Sequence, residues 1–217
     1  MHNQKPNRRI DSGMFAALSG TYKTIKSDAS AYIDPVAQEA EALAAINVLN
    51  FWDIRNYIFQ SCGLAYAHKK PMTVLMVALD GMFELNRRLG SESANQASNL
   101  LMRQLSHHRN VFFGTPNNVL IGQYVPGRYL ILLPDISGSG GYQIAEYFRR
   151  SICESNFFCS SQAISLTASI GVVHKPGHAG NQDFMILQAD QACVEAQNMG
   201  GNRVTCGRMT EGFQNCA

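Results

Sequence analysis

The sequence predicts an α/β sandwich: a central mixed sheet of about five strands flanked by helices, preceded by a helical extension. Three observations carry this. Met72–Leu79 is a continuous apolar run, which reads as a strand buried on both faces. Val119–Tyr124 and Tyr129–Leu133 are short apolar stretches joined by Val125-Pro126-Gly127-Arg128, and Pro followed by Gly at the centre of four residues is the signature of a type II turn. Helical patterns stand between and after these strands rather than in a separate block.

Taken in order, residues 1 to 33 are mixed and rich in Ser, Lys and Asn. Asp34 then reads as an N-cap with Pro35 at the first helical position, opening a helix through Ala45. Its apolar positions Val36, Ala40 and Leu43 share one face, which calls for a partner, either the same chain's domain or a second copy. A second helix is expected over Phe51–His68, with Lys69-Lys70 suiting its C-terminus and Pro71 closing it. After the central strand come helical stretches at Met82–Leu89 and Glu92–His108, then the hairpin. The loop Pro134–Gly141 leads to a helix over Tyr142–Glu154. A strand over Ile164–Val173, a helix over Asp183–Met199 and a short strand at Arg203-Val204-Thr205 complete the order. The domain division expected is an extension over 1–46, a folded domain over 47–207 and a tail over 208–217.

Composition narrows the function. The 217 residues are 46% hydrophobic and 16% charged, against roughly 25% charged in an average domain. Such a chain buries a core without a disulfide or metal staple, and general disorder is excluded. A net charge of +2 gives no electrostatic case for nucleic-acid binding. Six scattered cysteines, Cys62, Cys153, Cys159, Cys193, Cys206 and Cys216, form no CxxC pair and match no zinc spacing. They read as reduced thiols, and the cytoplasm is the expected compartment. No run approaches the ~18 apolar residues of a membrane span. The Arg8-Arg9 pair lacks the apolar stretch of a twin-arginine signal.

Certain phrases then stand in a telling order. Val74–Asn86 contains LMVALDGMFELN, Gly122–Pro134 reads GQYVPGRYLILLP, Leu166–Val173 reads LTASIGVV, and Ala189–Val204 reads ADQACVEAQNMGGNRV. These resemble LDIDxFKxIN, RYGGDEFxxLLP, TxSIGVA and ADxALYxAKxxGRNRV, the phrases of the GGDEF, or diguanylate cyclase, family. The resemblance spans Asn47 to Val204. It implies a nucleotidyl-cyclase-like fold that joins two GTP molecules into cyclic di-GMP, each half of a dimer presenting one substrate, with two divalent metals held by carboxylates.

Position by position, the implied chemistry is depleted. The first metal carboxylate falls on Ala78, the second on Asp80. The signature loop falls on Val125, Pro126, Gly127, Arg128 and Tyr129: both glycines are gone, one acidic position is Gly127, and the other carries the opposite charge as Arg128. A methyl group binds no Mg²⁺, and Pro126 offers no N–H to a phosphate. The guanine-reading Asn falls on Asn86, and the guanine-reading Asp on Asn95, an amide in place of an anion. The phosphate Lys falls on Gln197 and an Arg on Gly201, while Asn202 and Arg203 are kept. The product-inhibition RxxD falls on Pro116-Asn117-Asn118-Val119 and is absent.

Plainer roles compete for each surviving group. Asp80 suits a cap for the helix near Met82 as well as a metal ligand, Asn86 suits local hydrogen bonds as well as a purine, and Arg128 suits an exposed turn as well as a phosphate. The His174 and His178 pair is split by Pro176-Gly177 and reads as loop histidines, and His107-His108 suit a helix C-terminus. The expectation is therefore a catalytically inactive GGDEF-like module, without catalytic residues, bound metal or cofactor, acting as a regulator or scaffold in bacterial, cyclic di-GMP-related signalling through a protein partner or a homodimer formed by the N-terminal helix. The alternative is a nucleotide sensor that binds GTP, cyclic di-GMP or a related ligand in the remodelled pocket, with Asp80, Asn86, Asn95 and Arg203 as its residues.

Overall fold

The computed structural model describes residues 48–114, 118–155, 157–159, 162–175 and 182–207. The Asp34-led helix, the extension before residue 48 and the tail from 208 lie outside them. Among the described residues the order is β1 (Val48–Leu49), α1 (Phe51–His68), β2 (Met72–Leu79), α2 (Met82–Phe113), β3 (Leu120–Val125), β4 (Arg128–Pro134), α3 (Gly138–Glu154), β5 (Phe157–Cys159), β6 (Gln162–Ile164), β7 (Ala168–Lys175), α4 (Gln182–Asn198) and β8 (Val204–Cys206).

Six strands form one mixed sheet in the order β1-β3-β4-β2-β7-β8. β2 is central, antiparallel to β4 on one side and to β7 on the other, and all eight of its residues are buried. Its side chains alternate between two cores, as a strand's period of two requires. Leu75, Val77 and Leu79 pack with Leu101, Leu105 and Phe148 of α2 and α3. Val74, Met76 and Ala78 pack with Ile54 and Ile58 of α1 and Met185, Ala189 and Cys193 of α4. The close seat of α4 on the sheet is set at Gly171, where a Cβ would stand 2.1 Å from the Ala189 carbonyl oxygen.

The sequence expectations and the fold differ in several places. β1 adds a two-residue strand parallel to β3, too short to register as a pattern. The strand expected from Ile164 begins at Ala168, and Ile164 belongs to a separate hairpin, β5–β6. α3 starts at Gly138, not Tyr142, because Ser137 caps it through Oγ to the Gly140 N–H (3.3 Å). The two helical stretches after β2 are continuous except at Gly90 (φ 83°, ψ 169°), and the second runs on to Phe113. His107 and His108 therefore lie inside a helix. His108 is buried with its Nδ1 3.1 Å from the Tyr147 hydroxyl, and burial, helped by His107, lowers its pKa to about 4.

Candidate functional site

The residues singled out by sequence gather at the end of the sheet where β2 finishes and the β3–β4 hairpin turns. Pro126 and Gly127 make that turn, with Gly127 at φ 78° as a type II turn requires. Both halves of the expected hairpin extend to the turn, and the β3–β4 ladder shifts register between Gln123 and Val125. The turn is held from behind. The Gly127 N–H donates to Ser98 Oγ (2.8 Å), which also meets the Tyr129 hydroxyl (2.8 Å), and that hydroxyl donates to the Ser98 carbonyl (2.9 Å). Tyr129 is fully buried and its pKa is raised by that burial. The Leu79 N–H reaches the Gly127 carbonyl at 2.8 Å. The N–H and the carbonyl of Gly127 are thus both committed within the fold.

Ala78 and Arg128 are direct partners in the β2–β4 register, so their side chains leave the sheet on one face. That face is the one covered by α4. Arg128 reaches α4 there: one guanidinium nitrogen pairs with Asp190 and the other donates to Gln197 Oε1 at 3.1 Å. The Gln197 amide in turn meets the Leu79 carbonyl at 3.5 Å. With side-chain exposures of 27% and 25%, Arg128 and Asp190 are shielded from water on most sides. The exposed turn cation expected at Arg128 is corrected to a partly buried ion pair. Cys193, one turn beyond Asp190, meets the Ser169 carbonyl at 3.3 Å, and burial raises its pKa to about 12, so it stays a thiol.

Asp80 serves neither the helix cap nor an open ligand position. The cap residue of α2 is Gly81, which makes no side-chain cap bond. Asp80 Oδ1 accepts from Ser169 Oγ (2.7 Å), and Oδ2 accepts from Thr167 Oγ1 (2.8 Å) and the Asn202 N–H (2.8 Å). Its own N–H donates to the Thr167 carbonyl at 2.9 Å. The carboxylate therefore ties the end of β2 to β7 and to the turn before β8. Gly201, at φ 72°, fits this clamp because a Cβ there would lie 3.0 Å from Asp80 Cγ. Arg203 turns back on the same loop, its Nε 3.4 Å from the Gly201 carbonyl. Asn202 Oδ1 accepts from Arg149, which also pairs with Glu146.

Asn86 and Asn95 come together, with Pro126, in a cleft of about 250 Å³ between the hairpin and the first part of α2. Met82, Phe83, Ser91 and Ala94 complete its lining. Asn86 is exposed and makes no side-chain hydrogen bond among the described residues, so the local bonding expected of it is absent there. The structure thus splits the expected pocket in two. Asn86 and Asn95 share the cleft, while Asp80 and Arg203 belong to the clamp.

Asp190 and Ser98 are the site residues that sequence reasoning passed over. Asp190 stands seven residues before Gln197, two turns along the same face of α4, and that spacing was the available signal. Nothing in sequence marks Ser98.

A comparison with family models matches residues 50–203 to "Diguanylate cyclase, GGDEF domain". The chain belongs to the GGDEF family. Diguanylate cyclase A of Treponema denticola is 24% identical over 137 residues, covering 63% of this chain and 35% of that protein, so the chain spans about a third of its relative's length. The crystal structure of the GGDEF domain of YfiN (TpbB) from Pseudomonas aeruginosa superposes with a TM-score of 0.68 at 18% identity, covering 76% of this chain and 99% of that one. The diguanylate cyclase SiaD of Pseudomonas aeruginosa, solved with its activator SiaC, gives 0.64 at 17% identity, covering 90% of this chain and 71% of that one.

GGDEF membership implies divalent cations at the end of β2, and the residues there can be tested for fit. Hard cations take several oxygen ligands, with carboxylates foremost. Of the positions that bear them, Ala78 is a methyl group, Arg128 is a cation already paired, and both oxygens of Asp80 are engaged by three donors. Among the described residues no group of three or more His, Cys, Asp or Glu is placed to hold a metal ion. The donor set does not fit the cation. His174, read as a loop histidine, instead lies within β7 opposite Thr73, half-buried, and burial lowers its pKa. His178 and the aligned positions Pro116 and Asn117 lie outside the described residues. No described helix is long and apolar enough to cross a membrane.

Proposed function

We propose that this chain is a catalytically inactive GGDEF module that regulates by protein contact in cyclic di-GMP-related signalling. The observation that carries the reading is the ion pair of Arg128 with Asp190. It stands beside Ala78, on the face where the family pattern calls for carboxylates and a cation. Chemistry on a triphosphate needs positive charge at the reacting phosphate. Here Arg128 spends its charge on Asp190, Gln197 replaces a lysine, and the Gly127 N–H is taken by Ser98.

A role in contact is supported by the surface of α1. Trp52, Phe59 and Tyr66 recur every seven residues, 68%, 58% and 60% exposed, and form one apolar stripe. SiaD with SiaC is a precedent for a family member held by a separate protein. Partnering through the Asp34-led helix stays part of the proposal on sequence grounds. So does a cytoplasmic location.

The second reading, a nucleotide sensor, is favoured by the Asn86–Asn95 cleft. Purified full-length protein incubated with GTP and Mg²⁺ or Mn²⁺ tests the main reading. No cyclic di-GMP is expected, and any sustained turnover sinks the proposal.

A further inference from the structure

The outer face of α1 carries an inference about what this chain binds, and it rests on the contact reading given above. Trp52, Asn56, Phe59, Gly63 and Tyr66 are all exposed. Their spacing alternates four and three residues, so they form one seam along the helix. Ile54, Ile58, Cys62 and Ala65 occupy the opposite face, in the core, so the seam points away from the sheet. Three aromatic rings in one row on a protein surface mark a contact face.

The seam is complementary to itself. Phe59 projects from its middle, and Gly63, one turn on, leaves a notch where an added Cβ would meet nothing within 4 Å. Two copies of α1 can lie antiparallel with Phe59 of one level with Gly63 of the other. The two-fold axis that seats the first ring then seats the second as well. The same register sets each Asn56 carboxamide beside a Tyr66 hydroxyl, a donor with an acceptor. It brings Asp53, in the first turn of one helix, level with Lys69, the C-cap of the other, and opposes the two helix dipoles. A parallel pair would instead set ring on ring, notch on notch and like charges together at both ends. We propose that α1 is a self-association surface, through which two copies of this chain pair antiparallel across the step from Phe59 to Gly63. The rings of Trp52, Phe59 and Tyr66, 68%, 58% and 60% exposed, offer roughly 300–400 Å² in each copy. A standard interface buries about 800 Å² per partner, so the pair is a reversible dimer with a dissociation constant of about 1–100 µM.

Trp52 is the chain's one tryptophan, so its emission reports on this seam. Sedimentation velocity and Trp52 fluorescence of the full-length protein are followed together from about 1 to about 500 µM. The mass is expected to double, and the emission to shift to the blue over the same range. Phe59→Glu should hold the chain monomeric with its emission constant. Gly63→Gln fills the notch with a better helix former, so it should keep or raise Tm while weakening the dimer at least tenfold, which a loss of fold would not do. A mass that stays monomeric throughout overturns the proposal. So does doubling with Trp52 emission unchanged, which places the contact elsewhere, as on the Asp34-led helix. Emission already blue and unmoved at every dilution also overturns it, because the chain's own N-terminal segment would then cover the seam. A Gly63→Gln or Phe59→Glu dimer as tight as wild type does the same. Cyclic di-GMP formation would instead overturn the inactive reading, and the mass and emission are read independently of it.

Discussion

Removal of the Asp80 carboxylate separates a structural clamp from an open ligand position. Asp80→Ala strands three donors: the hydroxyls of Thr167 and Ser169 and the N–H of Asn202. Ser169 is fully buried. Hydrogen bonds to a charged acceptor contribute roughly 1.5–3 kcal/mol each, and a buried donor left unmade costs about 1–3 kcal/mol. Thr167 and Asn202 are half-buried and regain part of this from water. The net loss should be about 2–4 kcal/mol, or roughly 5–15 °C in Tm for a domain of this size. Asp80→Asn keeps the shape but turns an NH₂ toward a donor, so it should lose about half as much. Urea unfolding followed by circular dichroism reads both. A carboxylate kept for a cation would be released from repulsion when deleted, so a change within about 0.5 kcal/mol of wild type for Asp80→Ala would refute the clamp.

Two further expectations follow from the same geometry. The ion pair of Arg128 with Asp190 should show a coupling of about 1–2 kcal/mol in a double-mutant cycle of Arg128→Ala and Asp190→Ala, above the ~0.2–1 kcal/mol of exposed pairs. Coupling near zero would remove it as the element that closes the site. His108, lowered from 6.5 to about 4 by burial, binds its proton more readily when unfolded. Stability should therefore hold above pH 6.5 and fall between there and pH 4, by about 3 kcal/mol in all. His108→Gln should flatten that slope, and an unchanged slope would place it elsewhere.

The parts of the fold legible in sequence were those fixed by local pattern. The apolar run of β2 and the Pro126-Gly127 turn needed no partner to be read, and α1 matches its expected bounds. The start of α3 was hidden because Gly138, Gly140 and Gly141 have poor helix propensity. Yet Gly141 is where the helix meets β2, since a Cβ there would stand 2.4 Å from Thr73 Cγ2. The β5–β6 hairpin merged with β7 because Ile164 and Leu166 continue the apolar character of the strand that follows.

At the site, the residues were legible but their bonds were not. Arg128 finds Asp190 sixty-two positions away, and Asp80 finds Thr167 eighty-seven positions away. The partners of Asp80 lie inside the phrases at Leu166–Val173 and Ala189–Val204. Those phrases therefore mark a clamp that holds the sheet together.

The most direct test of a filled metal position is Mn²⁺ binding, read by electron paramagnetic resonance on the full-length protein with a non-hydrolysable GTP analogue present. The free Mn²⁺ signal is expected to equal that of the same mixture of Mn²⁺ and analogue without protein. Stoichiometric loss of that signal, abolished by Asp80→Asn, would contradict that expectation.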